Sequence, residues 1–82
     1  MRTVSFHADA WRDFTAMAKL FERLAGLINE TAGEPFTGIG KPEPLRHQLK
    51  GWWSRRINDE HRLVYRVSDQ SIVIASCRMQ YE

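Results

Sequence analysis

Apolar and polar residues alternate at the start of the chain and then take up a helical period. Residues 2–7 alternate polar and apolar side chains, which predicts a short strand. In residues 9–28 the apolar side chains recur every three or four positions, which predicts an amphipathic helical stretch whose apolar stripe packs on a core. Only Gly26 interrupts this stretch before Gly33 and Pro35 end it, so the pattern alone allows one long helix.

Beyond Pro44 the pattern becomes that of four short strands. They are residues 45–49, 52–57, 61–67 and 71–79. Short polar turns separate them, and such short connections enforce antiparallel neighbours. One strand, a helical stretch and a four-stranded antiparallel meander predict an α+β fold with the helical part on one face of a sheet. In the strand 61–67, alternation places Tyr65 under the helical part and leaves Arg62 and Arg66 on an open, concave face.

Composition narrows the class of protein. The chain has 82 residues and 43% hydrophobic residues, which is typical of one globular domain, here residues 1–82. No apolar run approaches the roughly 18 residues of a membrane span. Residues 1–7 lack the apolar stretch of a signal peptide, so we expect a cytoplasmic protein without a membrane partner. Cys77 is the only cysteine, which excludes an intrachain disulfide and a cysteine-based zinc site.

The net charge of the chain is small, but its charged residues are unevenly distributed along the sequence. Twelve Lys and Arg against ten Asp and Glu give a net charge of +2. Residues 41–66 nevertheless carry seven basic and three acidic side chains. The basic ones are Lys41, Arg46, Lys50, Arg55, Arg56, Arg62 and Arg66. A basic half of this kind is typical of proteins that bind a phosphate-rich partner, although a solvated sheet face has the same composition. We favour a binding surface because a sheet fixes most of these side chains in one plane.

Glu43 is the candidate for acid–base chemistry. It stands between two prolines, which fix their own φ angles and favour extended geometry in the residues before them, so its carboxylate is held on a stiff backbone. Arg55 and Arg56 are predicted to face Arg62 across a turn, and like charges opposite each other destabilise a sheet unless an anion lies between them. The alternative is an exposed glutamate beside a surface lattice of salt bridges.

A carboxylate beside clustered arginines suits cleavage of a phosphodiester bond in RNA. The carboxylate takes the proton of a ribose 2′-hydroxyl, and the arginines stabilise the charge that develops on the phosphate. This chemistry needs neither a metal ion nor another cofactor, and the sequence offers no cluster of metal ligands.

Three segments of the chain resemble one known family. They are Gly-Ile-Gly-Lys-Pro-Glu-Pro-Leu at 38–45, Trp-Ser-Arg-Arg-Ile at 53–57 and Glu-His-Arg-Leu-Val-Tyr at 60–65. Together they resemble the YoeB/Txe toxins of the RelE-like superfamily, and the resemblance covers essentially the whole chain. It implies a microbial-ribonuclease-like α+β fold with two helices. We therefore expect a shortened helical hairpin that bends near residues 15–19, with one long helix as the alternative.

The resemblance also implies a function and partners. Members of the family are ribosome-dependent mRNA endonucleases that cut in the ribosomal A site, leave a 2′,3′-cyclic phosphate and are inhibited by a YefM-type antitoxin. The expected partners are therefore this antitoxin, the ribosome with its mRNA, and operator DNA through the antitoxin complex. The sequence leaves open whether the chain forms a homodimer.

Individual roles follow from matching positions in the family. Glu43 matches the general base, Arg62 the arginine that stabilises the transition state, and Arg56 a second arginine on the phosphate side. Arg46 stands where relatives carry lysine, and Tyr81 matches a near-terminal tyrosine that helps to place the nucleotide. The residues expected to contact RNA phosphates are Lys41, Arg46, Arg55 and Arg56.

Gln80 departs from the family pattern. Relatives typically carry histidine before the tyrosine, and this histidine protonates the leaving 5′-oxygen. Glutamine donates a hydrogen bond but cannot deliver a proton, and general acid catalysis contributes about 10²–10⁴-fold to a rate. We therefore expect weakened cleavage with Gln80 and Tyr81 at the site. The alternatives are a degenerate toxin that serves as an antitoxin-binding co-repressor, and a free-standing RNA-binding domain.

Overall fold

A mixed five-stranded sheet organises the computed structural model of this chain, which describes residues 2–77. The elements are β1 (Thr3–Phe6), α1 (Ala8–Ala16), a 3₁₀ turn (Ala18–Leu20), α2 (Phe21–Gly33), β2 (Glu43–Pro44), a second 3₁₀ turn (His47–Leu49), β3 (Trp52–Arg56), β4 (Arg62–Val67) and β5 (Ser71–Ser76). The strand order is β1-β5-β4-β3-β2. The pairs from β2 to β5 are antiparallel, and β1 joins β5 in parallel. The predicted α+β class is confirmed.

The helical stretch is a hairpin. Helix α1 ends at Ala16, and Met17 leaves the helical region with φ −98° and ψ 56°. This bend lies within the expected segment 15–19, and the alternative of one long helix is wrong. A straight helix over residues 8–33 would be about 39 Å long, whereas the part of the chain that the structure describes extends 29 Å along its longest principal axis. The apolar stripe can therefore cover the sheet only if it folds back. Within residues 2–77, neither helix is long and apolar enough to cross a membrane.

The prediction of a strand over residues 45–49, the first of the meander, is wrong. Strand β2 pairs with β3 at Glu43 and Pro44, and the Leu45 N–H still donates to the carbonyl of Trp52 at 2.8 Å. His47 then adopts φ +59°, and a 3₁₀ turn replaces the extended chain. The alternation of apolar and polar residues around His47 is typical of a strand, but the positive φ of His47 ends the extended backbone conformation. The strand at this position is therefore shorter and carries Glu43 itself.

Helices and sheet bury one apolar core. It is formed by Leu24, Leu27 and Ile28 of α2, Leu63 and Tyr65 of β4, and Ile72 and Ile74 of β5, with their neighbours. The alternation predicted for β4 is confirmed, because Tyr65 is fully buried while Arg66 is exposed. We call the sheet face that does not pack on the helices the outer face. By strand register it carries Glu43, Trp52, Ser54, Arg56, Arg62, Val64 and Arg66.

Candidate active site

A contact between a carboxylate and a guanidinium group lies on the outer face, toward the edge of the sheet that β2 forms. Arg62 NH1 donates to Glu43 Oε1 at 3.2 Å and to Ser54 Oγ at 3.4 Å. Glu43 stands opposite Ser54 in the β2–β3 register, and Ser54 stands opposite Val64. The Glu43 side chain is 59% exposed and that of Arg62 is 21% exposed. The carboxylate is thus fixed by an arginine and still open to a substrate.

A second arginine stands beside the first. Arg56 of β3 is directly opposite Arg62 of β4, and its side chain is exposed. Like charges at such positions, about 5 Å apart at Cβ, destabilise a sheet unless something compensates them. Among residues 2–77, Glu43 forms its ion pair with Arg62 and not with Arg56, so the pair of arginines keeps a positive field that suits a phosphate.

The chain before Glu43 is tightly constrained. Gly40 has φ +80° and Lys41 has φ +50°, which is uncommon for a residue with a side chain. The Arg56 N–H donates to the Gly40 carbonyl at 2.7 Å, so the loop is tied to β3. Backbone strain of this kind persists where the surroundings hold it and is common at functional sites.

A groove of about 260 Å³ adjoins the site, and three basic residues are among those that line it. It is lined by Arg23, Leu27, Ile39, Gly40, Lys41 and Arg56. The structure thus brings together Lys41 and Arg56, two of the residues expected to contact phosphate. Sequence reasoning missed Arg23, although its position four residues before the buried Leu27 on α2 places both on one helix face.

Ser54 is a further feature that sequence reasoning missed. Alternation along β3 was the available signal, since it sets Ser54 and Trp52 on the face of Arg56. The Trp52 ring lies 5.0 Å from the Arg66 guanidinium carbon and 5.9 Å from the His7 ring. This cluster adds a partly exposed aromatic surface to the outer face, of the kind on which nucleobases stack.

Arg46 lies beyond the centre of the site. Its exposed side chain stands just after β2, at the start of the second 3₁₀ turn. It therefore adds positive charge three residues from Glu43 without belonging to the sheet.

The expectation that Arg55 contacts phosphate is corrected by the structure. Its side chain is fully buried on the helix face, because neighbouring residues of a strand point to opposite faces. All of its donor groups bond within the protein, to Tyr65, Glu30 and three backbone carbonyls. It pairs with Glu30, so the alternative in which Arg55 belongs to a surface lattice of salt bridges is wrong.

Gln80 and Tyr81 lie outside the described residues, so their roles stay predictions. Among residues 2–77, no three His, Cys, Asp or Glu side chains come together in a way that could hold a metal ion. Burial raises the pKa of Cys77 to about 12, so its thiol stays protonated at neutral pH and is a poor nucleophile.

Replacing Gly40 by alanine is expected to destabilise the fold by about 1–3 kcal/mol. The new Cβ would lie 2.8 Å from the Arg56 carbonyl and would force a side chain into φ +80°. Urea denaturation measures the change. Gly26→Ala is the matched control, because no atom lies within 4 Å of its Cβ position in α2, and it is expected to stabilise by about 0.5–1 kcal/mol. Equal midpoints for Gly40→Ala and the wild type would contradict this view of the loop.

Comparison of the sequence with known proteins gives one family. A model described as YoeB-like toxin of bacterial type II toxin-antitoxin system matches residues 6–81. Toxin YoeB of Mycobacterium bovis is 51% identical over 85 residues, covering 99% of this chain and 100% of that protein. Toxin YoeB of Escherichia coli K12 is 49% identical over 77 residues, covering 89% of this chain and 92% of that protein.

Solved structures agree with the fold described above. The YoeB/ParE toxin from Agrobacterium tumefaciens superposes with a TM-score of 0.89 at 38% identity, covering 96% of this chain and 99% of its own. A YoeB dimer from Staphylococcus aureus has a TM-score of 0.88 at 39% identity, covering 98% of both chains. A heterotetrameric YoeB-YefM complex from the same organism has a TM-score of 0.87 at 38% identity, covering 99% of both.

Proposed function

The chain belongs to the YoeB-like toxin family of bacterial type II toxin–antitoxin systems, and we propose that it is an endoribonuclease that cuts mRNA on the ribosome. The contact of Glu43 Oε1 with Arg62 NH1 at 3.2 Å, with Arg56 on the next strand, carries this proposal. It joins a proton acceptor and two cations on one exposed surface. The same reactants, without a metal ion, suffice for attack by a ribose 2′-hydroxyl.

In the proposed reaction Glu43 takes the proton of the 2′-hydroxyl, and the oxygen attacks the neighbouring phosphorus. The bond from phosphorus to the 5′-oxygen breaks, which leaves a 2′,3′-cyclic phosphate and a 5′-hydroxyl. Arg62 and Arg56 stabilise the negative charge on the non-bridging oxygens. Ser54 accepts a hydrogen bond from Arg62 and so helps to orient its guanidinium group. The leaving oxygen takes its proton from water, since Gln80 has none to give.

Primer extension of an mRNA on translating ribosomes tests the proposal. Wild-type protein is expected to produce cuts within codons in the A site, with a cyclic phosphate at the new 3′ end. Glu43→Gln is expected to remove these cuts. Intact mRNA at high concentrations of both the wild type and Gln80→His would contradict the proposed activity.

Free RNA is expected to be cut slowly, with binding that weakens steeply as salt rises. The protein is small, and its basic surface mainly contacts the RNA backbone, so the ribosome supplies the positioning of the scissile bond. If about four phosphates are neutralised, log K should fall against log salt with a slope of about −3. Filter binding measures the salt dependence of the affinity, and cleavage of a labelled oligonucleotide measures the rate on free RNA. Rapid, sequence-specific cleavage of free RNA would contradict the dependence on the ribosome.

We also propose a YefM-type antitoxin as partner. YoeB of Staphylococcus aureus forms a complex with YefM, and the groove of Arg23, Lys41 and Arg56 offers cations to an acidic segment that orders on binding. Operator DNA is then bound through the antitoxin. A homodimer is proposed by analogy with the dimer from the same species. Action on ribosomes places the protein in the cytoplasm.

A second candidate function follows from Gln80. A toxin without the proton donor of its family could persist as an antitoxin-binding co-repressor that cuts poorly. Cleavage that appears only in Gln80→His, together with normal antitoxin binding by the wild type, would favour this function. A free-standing RNA-binding domain would instead bind no antitoxin.

A further inference from the structure

Three backbone carbonyl groups of the loop that precedes Glu43 accept hydrogen bonds from one buried arginine, Arg55. Arg55 NH1 donates to the Ile39 carbonyl at 3.2 Å, and NH2 donates to the carbonyls of Glu34 and, at 2.8 Å, Thr37. A guanidinium group has five N–H donors. The two remaining bonds go to Glu30 Oε2 at 3.0 Å and to the Tyr65 hydroxyl at 3.3 Å. The Arg55 side chain has no exposed surface.

Glu30 and Tyr65 form further hydrogen bonds to the same loop. Glu30 Oε2 also accepts the Ile39 N–H at 2.8 Å, and the Tyr65 hydroxyl donates to the Pro35 carbonyl at 2.6 Å. Burial raises the pKa of Tyr65, although the N–H of Arg55 opposes this, so the hydroxyl keeps its proton. The loop approaches so closely that a Cβ at Gly38 would lie 2.3 Å from Glu30 Oε2.

We infer that Arg55 is a positioning residue, which holds residues 34–40 in one conformation and thereby sets the Glu43 carboxylate against Arg62. Glu43 follows Gly40 by three residues, and the prolines on both sides of Glu43 leave little freedom to absorb a displacement. A displacement of the loop therefore displaces the Glu43 carboxylate as well. This inference rests on the proposed endoribonuclease function for its consequence, but the restraint on the loop can be measured alone.

The need for an arginine at this position follows from the carbonyl groups. Four carbonyls of the loop, at residues 34, 35, 37 and 39, accept hydrogen bonds from the side chains of Arg55 or Tyr65, and a carbonyl that is shielded from water is destabilising without a donor. Lysine brings fewer donors at a single point, and methionine brings none. Arg55→Lys should therefore keep part of the restraint on the loop, whereas Arg55→Met should lose every bond that Arg55 donates and keep only those between Ile39 and Glu30 and between Tyr65 and Pro35. Tyr65→Phe removes the bond to the Pro35 carbonyl and the one that Arg55 Nε donates to the hydroxyl, but it leaves the four other bonds of Arg55 and serves as the milder variant.

The test combines amide hydrogen exchange on the full chain with cleavage on translating ribosomes. In Arg55→Lys, the Ile39 and Arg56 amides are expected to exchange about tenfold faster or more, while the His7 amide on the far side of the sheet is unchanged. Misplacement by about 1 Å can lower a rate by about 10²-fold, so kcat is expected to fall by tenfold to hundredfold with KM unchanged. Tyr65→Phe is expected to change both readouts in the same direction and by less.

Ile72→Val is the matched control, since it truncates a fully buried side chain of β5 away from the loop. It should lower stability while leaving loop exchange and kcat as in the wild type. Wild-type exchange at Ile39 and Arg56 in Arg55→Lys would overturn the inference, as would faster exchange with unchanged kcat. If the wild type cuts nothing, the proposed function fails, and the exchange data still decide whether Arg55 restrains the loop.

Discussion

Glu43→Gln is expected to lower the rate of mRNA cleavage on translating ribosomes by about 10²–10⁴-fold. The amide has the shape of the carboxylate but cannot take the 2′-hydroxyl proton. Its oxygen can still accept the hydrogen bond that Arg62 donates at 3.2 Å, so the guanidinium group keeps its place. The loss should therefore appear in kcat, with little change in KM, because binding of the ribosome and mRNA does not depend on the proton transfer. Quantitative primer extension under single-turnover conditions measures it.

The fold should tolerate this change. Exposed ion pairs contribute about 0–1 kcal/mol to stability, and the Glu43 side chain is 59% exposed. Glu22→Gln is the matched control, because it makes the same chemical change in the first turn of α2. It should cut like the wild type. Cleavage by Glu43→Gln within a factor of about three of the wild type would remove the general base from the mechanism.

Alternation and turn chemistry predicted most of the fold because they act locally. Tyr65 and Arg62 were assigned to their faces of β4 from the period of two alone, and the structure confirms both. The parallel pairing of β1 with β5 had no local signal, since it joins residues about seventy positions apart. His47 shows a different limit, because a positive φ in a residue other than glycine follows from the surrounding chain and not from its side chain.

In the candidate site, too, local patterns predicted some features, whereas others depend on distant parts of the chain. Glu43 and Arg62 could be predicted as a pair, and the structure places them in contact. Arg55 and Arg56 are equivalent in a count of charges, yet strand alternation sends one into the core and the other to the outer face. Applying alternation to residues 52–56 would have separated them. Nothing in the sequence showed that the buried arginine binds the loop before Glu43, because this depends on carbonyl groups that converge only in three dimensions.

Gln80→His is expected to raise the cleavage rate on translating ribosomes by up to about 10²–10⁴-fold. An imidazolium at this position can protonate the leaving 5′-oxygen, which the glutamine amide cannot do. The sign of the pH dependence follows from this role. With a histidine pKa near 6.5, the rate of Gln80→His should fall as pH rises above that value, because the acid form is lost. The wild type has no such group at position 80 and should not show this fall.

Two variants separate this effect from a general change at the site. Gln80→Asn keeps an amide and should cut no faster than the wild type. The double variant Glu43→Gln with Gln80→His should lose most of the gain, because the restored acid still depends on a base that removes the 2′-hydroxyl proton. Equal and measurable cleavage rates for Gln80→His and the wild type across the pH range would mean that proton transfer to the leaving oxygen does not limit the reaction. Gln80 would then be compatible with full toxin activity, and the co-repressor function would lose its support.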